Sequence, residues 1–247
     1  MSSSESATTV DEVLKMLEQC LDTARAENSA EGYIALIYAW ETRDIAAAAA
    51  RFDAPEELRR MIVVFANRYF TARRQFRAGG ATAKAWGLAF RAARASSALV
   101  VQHLLLAMNA HINVDLAVAA AEAGLPWADY SRVDDILGAG IAKIQSRLNR
   151  TTLFLRALDL FAGDFDEMFT VFSLKAARRH AFDLAQRLRA MPESARPHLI
   201  AEADELALRL GERLLSPPLR DRLLLAAVRL SERNMSPREL LALIERA

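Results

Sequence analysis

The chain has 247 residues, 53% of them apolar, and 32 Lys+Arg against 31 Asp+Glu give a formal charge of +1. That length suits one or two domains with a sizeable core, and the balanced charge removes the electrostatic case for nucleic acid or an anionic membrane as partner. A single cysteine, Cys20, excludes an internal disulfide and a cysteine-rich metal site, so a reduced, cytoplasmic setting is expected.

The N-terminal "MSSSESATTV" lacks the basic-then-apolar order of a signal peptide and reads as a disordered leader over residues 1–8. Strand signals are nearly absent, whereas Ala, Leu, Arg and Glu dominate throughout. Thr9 with Glu12 has capping-box spacing and predicts a helix over about 9–27. Helices follow over about 31–50 and from Pro55, a first-turn residue, to the Gly79-Gly80 stop. Another covers about 82–95, and Ser96 or Ser97 then caps a helix that runs to Gly124-Leu125-Pro126. Further helices are expected at about 129–149, 150–162, 165–190, 195–214 and 217–233. The last starts at "SPRE", with Ser236 as cap, Pro237 in the first turn and Glu239 closing the box. No repeat or Pro/Gly/Ser-rich linker divides the chain. The expected fold is all-α, a single domain over 9–247 of roughly ten helices around a buried central helix.

That central helix carries the main chemical signal. Residues 102–115, "QHLLLAMNAHINVD", hold two of the four histidines. At about 100° per residue, with His103 at zero, His111 lies near 80° and Asp115 near 120°. Gln102, Asn109 and Asn113 form a second polar stripe near 240–280°. A surface helix has one polar face; two polar stripes separated by apolar residues mark a helix surrounded by others, whose polar groups need buried partners. His103 and His111 are about 12 Å apart along the axis, so one ion cannot bridge them. His111 and Asp115, four apart, are neighbours: the carboxylate can hold the imidazole tautomer, or the pair can bind a metal. Glu122 continues the same stripe. So many polar groups also argue against a membrane span.

A second apolar segment, "VVFANRYF" at 63–70, is broken by Asn67 and Arg68. A buried arginine needs partners, so Arg68 is expected within reach of the 102–115 stripe, as a structural pair with Asp115 or as a clamp for a substrate anion. Asp134-Asp135 and "DFDE" at 164–167 read as helix-end or solvated acidic residues rather than a metal motif, because no facing ligand motif accompanies them. His180 and His198 are too few to build a multinuclear zinc site with His111. Nucleophile-elbow and phosphate-loop motifs are absent.

The two blocks resemble those of a bacterial family known as domain of unknown function 5995, whose typical segments are similar to "DVVFANRYL" and "QHLLLGMNAHINLDL". Weaker similarity extends to "EGYIALIYAWET" at 31–42, "TAKAWGLAF" at 82–90 and "FSLKAAR" at 172–178. The resemblance implies no activity; it marks Asn67, Arg68, Tyr69, Trp86, Gln102, His103, Asn109, His111, Asn113 and Asp115 as matched positions. Ala107 stands where the family usually has Gly, Asp134 where it tends to have Asn, and His180 near a usual Trp or Ala.

These residues predict a small-molecule enzyme with a buried polar pocket. His103 or His111 would be the acid/base, with Asp115 orienting it. Asn67, Arg68, Tyr69, Trp86, Gln102, Asn109 and Asn113 would hold substrate. No cofactor motif is visible, so cofactor-free cyclisation, isomerisation, elimination or hydrolysis is expected. The alternatives are a non-catalytic binding protein for an apolar or lipid-like ligand, and a mononuclear metal hydrolase using His111 and Asp115. Homo-oligomerisation stays open.

Overall fold

A computed structural model describes residues 6–95, 98–133, 135–137, 174–216, 225–226, 229–230 and 232–246. Among these, helix is the only regular structure. α1 (Val10–Glu27) and α2 (Glu31–Ala48) form a hairpin turned by Asn28, whose left-handed φ of 53° ends α1. α3 (Pro55–Arg77) and α4 (Lys84–Ala95) precede a continuous central helix, Val100–Ala123. α7 (Leu174–Ala190), α8 (Arg196–Leu215) and α9 (Pro237–Arg246) complete the bundle. Residues 127–133 are helical, but residues 138–149 of the helix expected over 129–149, all of that over 150–162, the start of that over 165–190 with the acidic 164–167, much of that over 217–233, the caps Ser96 and Ser97, and Asp134 lie outside the described residues.

The local signals act largely as their chemistry dictates. Thr9 accepts a hydrogen bond from the Glu12 amide, while the Glu12 carboxylate reaches back one residue further than expected, to Thr8. Ser236 and Glu239 form the full reciprocal box, at 2.7 and 3.3 Å. Residues 6–8, the described end of the expected leader, pack against α3. Ala7 is buried, and Asn67 pairs with its amide and its carbonyl, both at 2.8 Å. A leader reading weighs composition alone and cannot see a side chain sixty positions away.

The central helix has three parts: α5 (Val100–Ala110), a π-helical segment (His111–Leu116) and α6 (Ala117–Ala123). By length and composition it could cross a membrane, yet 83% of its most apolar window is buried by its neighbours. α2, α4 and α8 pack against its first half, in one core that α1, α3 and α9 also join, and a second core around α6 draws in Ile45, Leu58, Met61, Ile62, Tyr130 and Ala181. α8 comes close because Gly211 has no side chain: a Cβ there would lie 2.8 Å from a Leu88 methyl. Wide π turns are often found at functional sites, and this one lies where the two cores meet.

Asp204 of α8 caps α4, accepting from the amides of Lys84 at 2.7 Å and Ala85 at 3.0 Å. Asp204→Ala leaves both donors without that partner, so urea denaturation should show a loss of about 1–2 kcal/mol.

Candidate functional site

The π segment re-aims the second half of the central helix. An i→i+5 turn holds more residues than an α turn, so residues four apart come closer to alignment. His111 and Asp115 are thereby brought together, with Nδ1 of His111 3.3 Å from Oδ2 of Asp115. The same change moves Glu122 off the stripe on which a uniform wheel places it: Glu122 is exposed. The constant 100° step fails there, because the added residue rotates everything downstream.

Asp115 is the hub. Its side chain is only 3% exposed. Arg68 donates from Nε to Oδ1 at 2.8 Å and Trp86 from Nε1 to Oδ2 at 2.7 Å. The donors come from α3 and α4, so three elements converge on one buried charge. On α3, Phe65, Arg68 and Tyr69 share a face through i, i+3, i+4 spacing. Asn67 points away from that face, to Ala7.

His111 is fully enclosed. Its ring stacks on Phe65, with centroids 3.5 Å apart at 6°, and meets Tyr38 edge-on at 4.5 Å. Desolvation pushes its pKa below the ordinary value; the Asp115 carboxylate opposes that shift, and the Arg68 cation adds to it. A carboxylate can only accept, so the neutral ring donates from Nδ1–H to Asp115 and carries its lone pair on Nε2. That Nε2 is buried and has no hydrogen-bond partner among the described residues.

The same ring forms part of the wall of a cavity of about 110 Å³. α2 contributes Ile34, Ile37, Tyr38 and Ile45; α3 contributes Met61, Ile62 and Phe65; the central helix contributes Met108, His111, Ile112 and Leu116. Glu41, Thr42 and Arg178 add polar groups to a mostly aliphatic lining. The cavity therefore lies between the two cores, beside the π segment.

The sequence-derived residues divide. Arg68, Trp86, His111 and Asp115 come together, as expected of Arg68. Gln102, Asn109 and Asn113 bind the protein itself. Gln102 donates to the Leu214 carbonyl at 3.0 Å and accepts from the Leu99 amide at 3.1 Å, while Asn109 donates to the Ala207 carbonyl at 2.6 Å. Asn113 donates to Asn109 at 2.9 Å. This stripe joins the central helix to α8 and does not line the cavity. His103 is also outside the cavity wall, packed near Tyr33 at 6.0 Å between centroids. Tyr69 is buried behind Trp86, with centroids 5.2 Å apart. His180 and His198 are exposed. The cavity residues of α2 were not singled out from the sequence. The available signal was that every residue from Glu31 to Ala39 is buried, foreshadowed by the nearly unbroken apolar run "YIALIYAW".

Among the described residues, no group of three or more His, Cys, Asp or Glu is placed to hold a metal. A cation at His111 and Asp115 would also compete with Arg68 and Trp86 for the carboxylate.

The pattern of a family of unknown function, DUF5995, matches residues 10–217. The chain belongs to this family. No curated protein and no solved structure matches it. Most of the DUF5995 match is described here, including both blocks and the Asp115 hub. Ala107, where the resemblance implies a glycine, is buried in the first core and is absent from the cavity wall, so its methyl group does not narrow the cavity.

Burial pushes the His103 imidazole down from its ordinary 6.5 to about 4, partly opposed by the Ala98 backbone. A folded value below the unfolded one means that acid favours the unfolded chain: the stability is whole above pH 6.5 and lost as pH falls towards 4. Urea titrations at pH 7 and pH 4 should show a decline that His103→Gln reduces by about 3 kcal/mol.

Proposed function

We propose that this protein binds a small, mainly apolar molecule in the cavity and acts on it by proton transfer, with His111 as general base. The observation that carries this reading is the buried, unpartnered Nε2 of His111 in a cavity wall, on a ring whose other nitrogen faces a carboxylate. Leaving a buried polar atom unpaired costs about 1–3 kcal/mol, which a ligand group could recover. Asp115 positions the imidazole and stabilises the imidazolium formed when Nε2 takes a proton. Arg68 and Trp86 position Asp115 in turn. The apolar lining keeps water from the base and favours isomerisation or elimination, reactions that a single base can drive without an external nucleophile.

A second reading, binding without turnover, has one observation in its favour. Asp115 already accepts from Arg68 and Trp86, which weakens its support for an imidazolium.

5-Nitrobenzisoxazole separates the two, because its ring-opening elimination needs only a base in apolar surroundings. The protein should accelerate it, and folded His111→Ala should lose about 10²-fold or more. Asp115→Asn should lose part of the rate. The lowered pKa of His111 should keep the rate level below pH 6.5 before it falls in acid. Saturable binding with equal background rates in wild type and His111→Ala would establish the second reading.

A further inference from the structure

Two side chains of the cavity wall, His111 and Tyr38, each carry a buried polar atom, Nε2 and Oη, without a hydrogen-bond partner among the described residues. Their rings are in contact, with centroids 4.5 Å apart and planes at 73°. We propose that the cavity takes an uncharged apolar molecule bearing a hydroxyl group, an alcohol or a phenol, and that this hydroxyl bridges Tyr38 and His111. The proposal rests on the cavity-binding reading above and adds the class of ligand.

The two wall groups are complementary. His111 Nε2 offers a lone pair, because Nδ1 carries the proton that faces Asp115. Tyr38 offers an O–H: burial and the nearby Asp115 charge raise its pKa well above the usual value, so the phenol stays protonated. A hydroxyl is the smallest group that donates to the first while accepting from the second.

Other polar groups fit less well. A carboxylate brings only acceptors and would set one against the Nε2 lone pair, with the Asp115 charge directly behind the ring. An ether or ketone satisfies Tyr38 and leaves Nε2 unpaired. A hydrocarbon leaves both unpaired. An ammonium would lose its hydration in a wall made largely of Ile34, Ile37, Ile45, Met61 and Ile62. Glu41 and Arg178 are also in the wall, one acidic and one basic, so together they add no net charge to the cavity.

The probes are p-cresol, 4-methylanisole and toluene, which share a ring and a methyl and differ in donor and acceptor. Titration calorimetry on the full chain at pH 7 should give p-cresol about tenfold tighter binding than either of the others. Tyr38→Phe and His111→Phe keep a ring at each position. Each should weaken p-cresol about tenfold, to the level of toluene in the same variant. Equal affinities of wild type for p-cresol and 4-methylanisole would overturn the hydroxyl assignment and leave the apolar cavity reading intact. A p-cresol preference that survives in both folded variants would also overturn it. Failure of all three probes to bind would overturn the cavity reading together with this one. A p-cresol preference without elimination of 5-nitrobenzisoxazole would support the hydroxyl site and remove the catalytic reading alone. The comparison within wild type needs no variant to fold.

Discussion

The arrangement around the central helix depends on one buried carboxylate. An isolated carboxylate in a protein interior is heavily penalised, so Asp115 can be buried only where donors are delivered to it. Arg68 arrives from α3 and Trp86 from α4, while His111 lies on the same helix. Arg68 and Trp86 each fix one element against the central helix, and loss of any of the three donors leaves a charge short of partners. Three helices are thus held in a single relative geometry by a requirement that apolar packing, being non-directional, does not impose.

The π segment follows from the same constraint and sets its chemical consequence. A regular α turn would leave His111 and Asp115 as ordinary neighbours and carry Glu122 on towards the interior. The wider turn aligns the pair and returns Glu122 to solvent. It also divides the packing into two cores with the cavity between them. The imidazole therefore has a carboxylate on one nitrogen and apolar surroundings about the other, a setting in which it stays neutral and keeps an available lone pair.

The second polar stripe has a different role, although its composition looks equally functional. Gln102 serves a carbonyl near the C-terminal end of α8, where the last turn of a helix leaves acceptors without intrahelical donors. Asn109 serves Ala207 midway along α8, at a close approach that Gly211 permits. These amides attach α8 to the central helix as Asp115 attaches α3 and α4. Both stripes obey the rule that buried polar groups are paired. The two histidines of the first stripe each keep one buried nitrogen without a hydrogen-bond partner among the described residues, and of the two only His111 lines the cavity.

The sequence by itself determined the all-helical class, most helix boundaries, the burial of the helix holding residues 102–115 and the meeting of Arg68 with its polar stripe. These follow from local propensity, capping and periodicity, and from the requirement that a buried arginine find an acceptor, all of which act over short distances or through pairing alone. Only the tertiary structure decided which polar residues face a cavity. Gln102, Asn109 and Asn113 have the same residue chemistry whether they meet a ligand or the carbonyls of α8, and nothing within the central helix records which neighbour approaches. It also decided that Asn67 holds Ala7, that Phe65 and Tyr38 enclose His111, and that the helical period changes at His111. A π turn is stabilised by contacts from other helices rather than by a signature of its own residues, so a wheel drawn at one constant angle could not contain it.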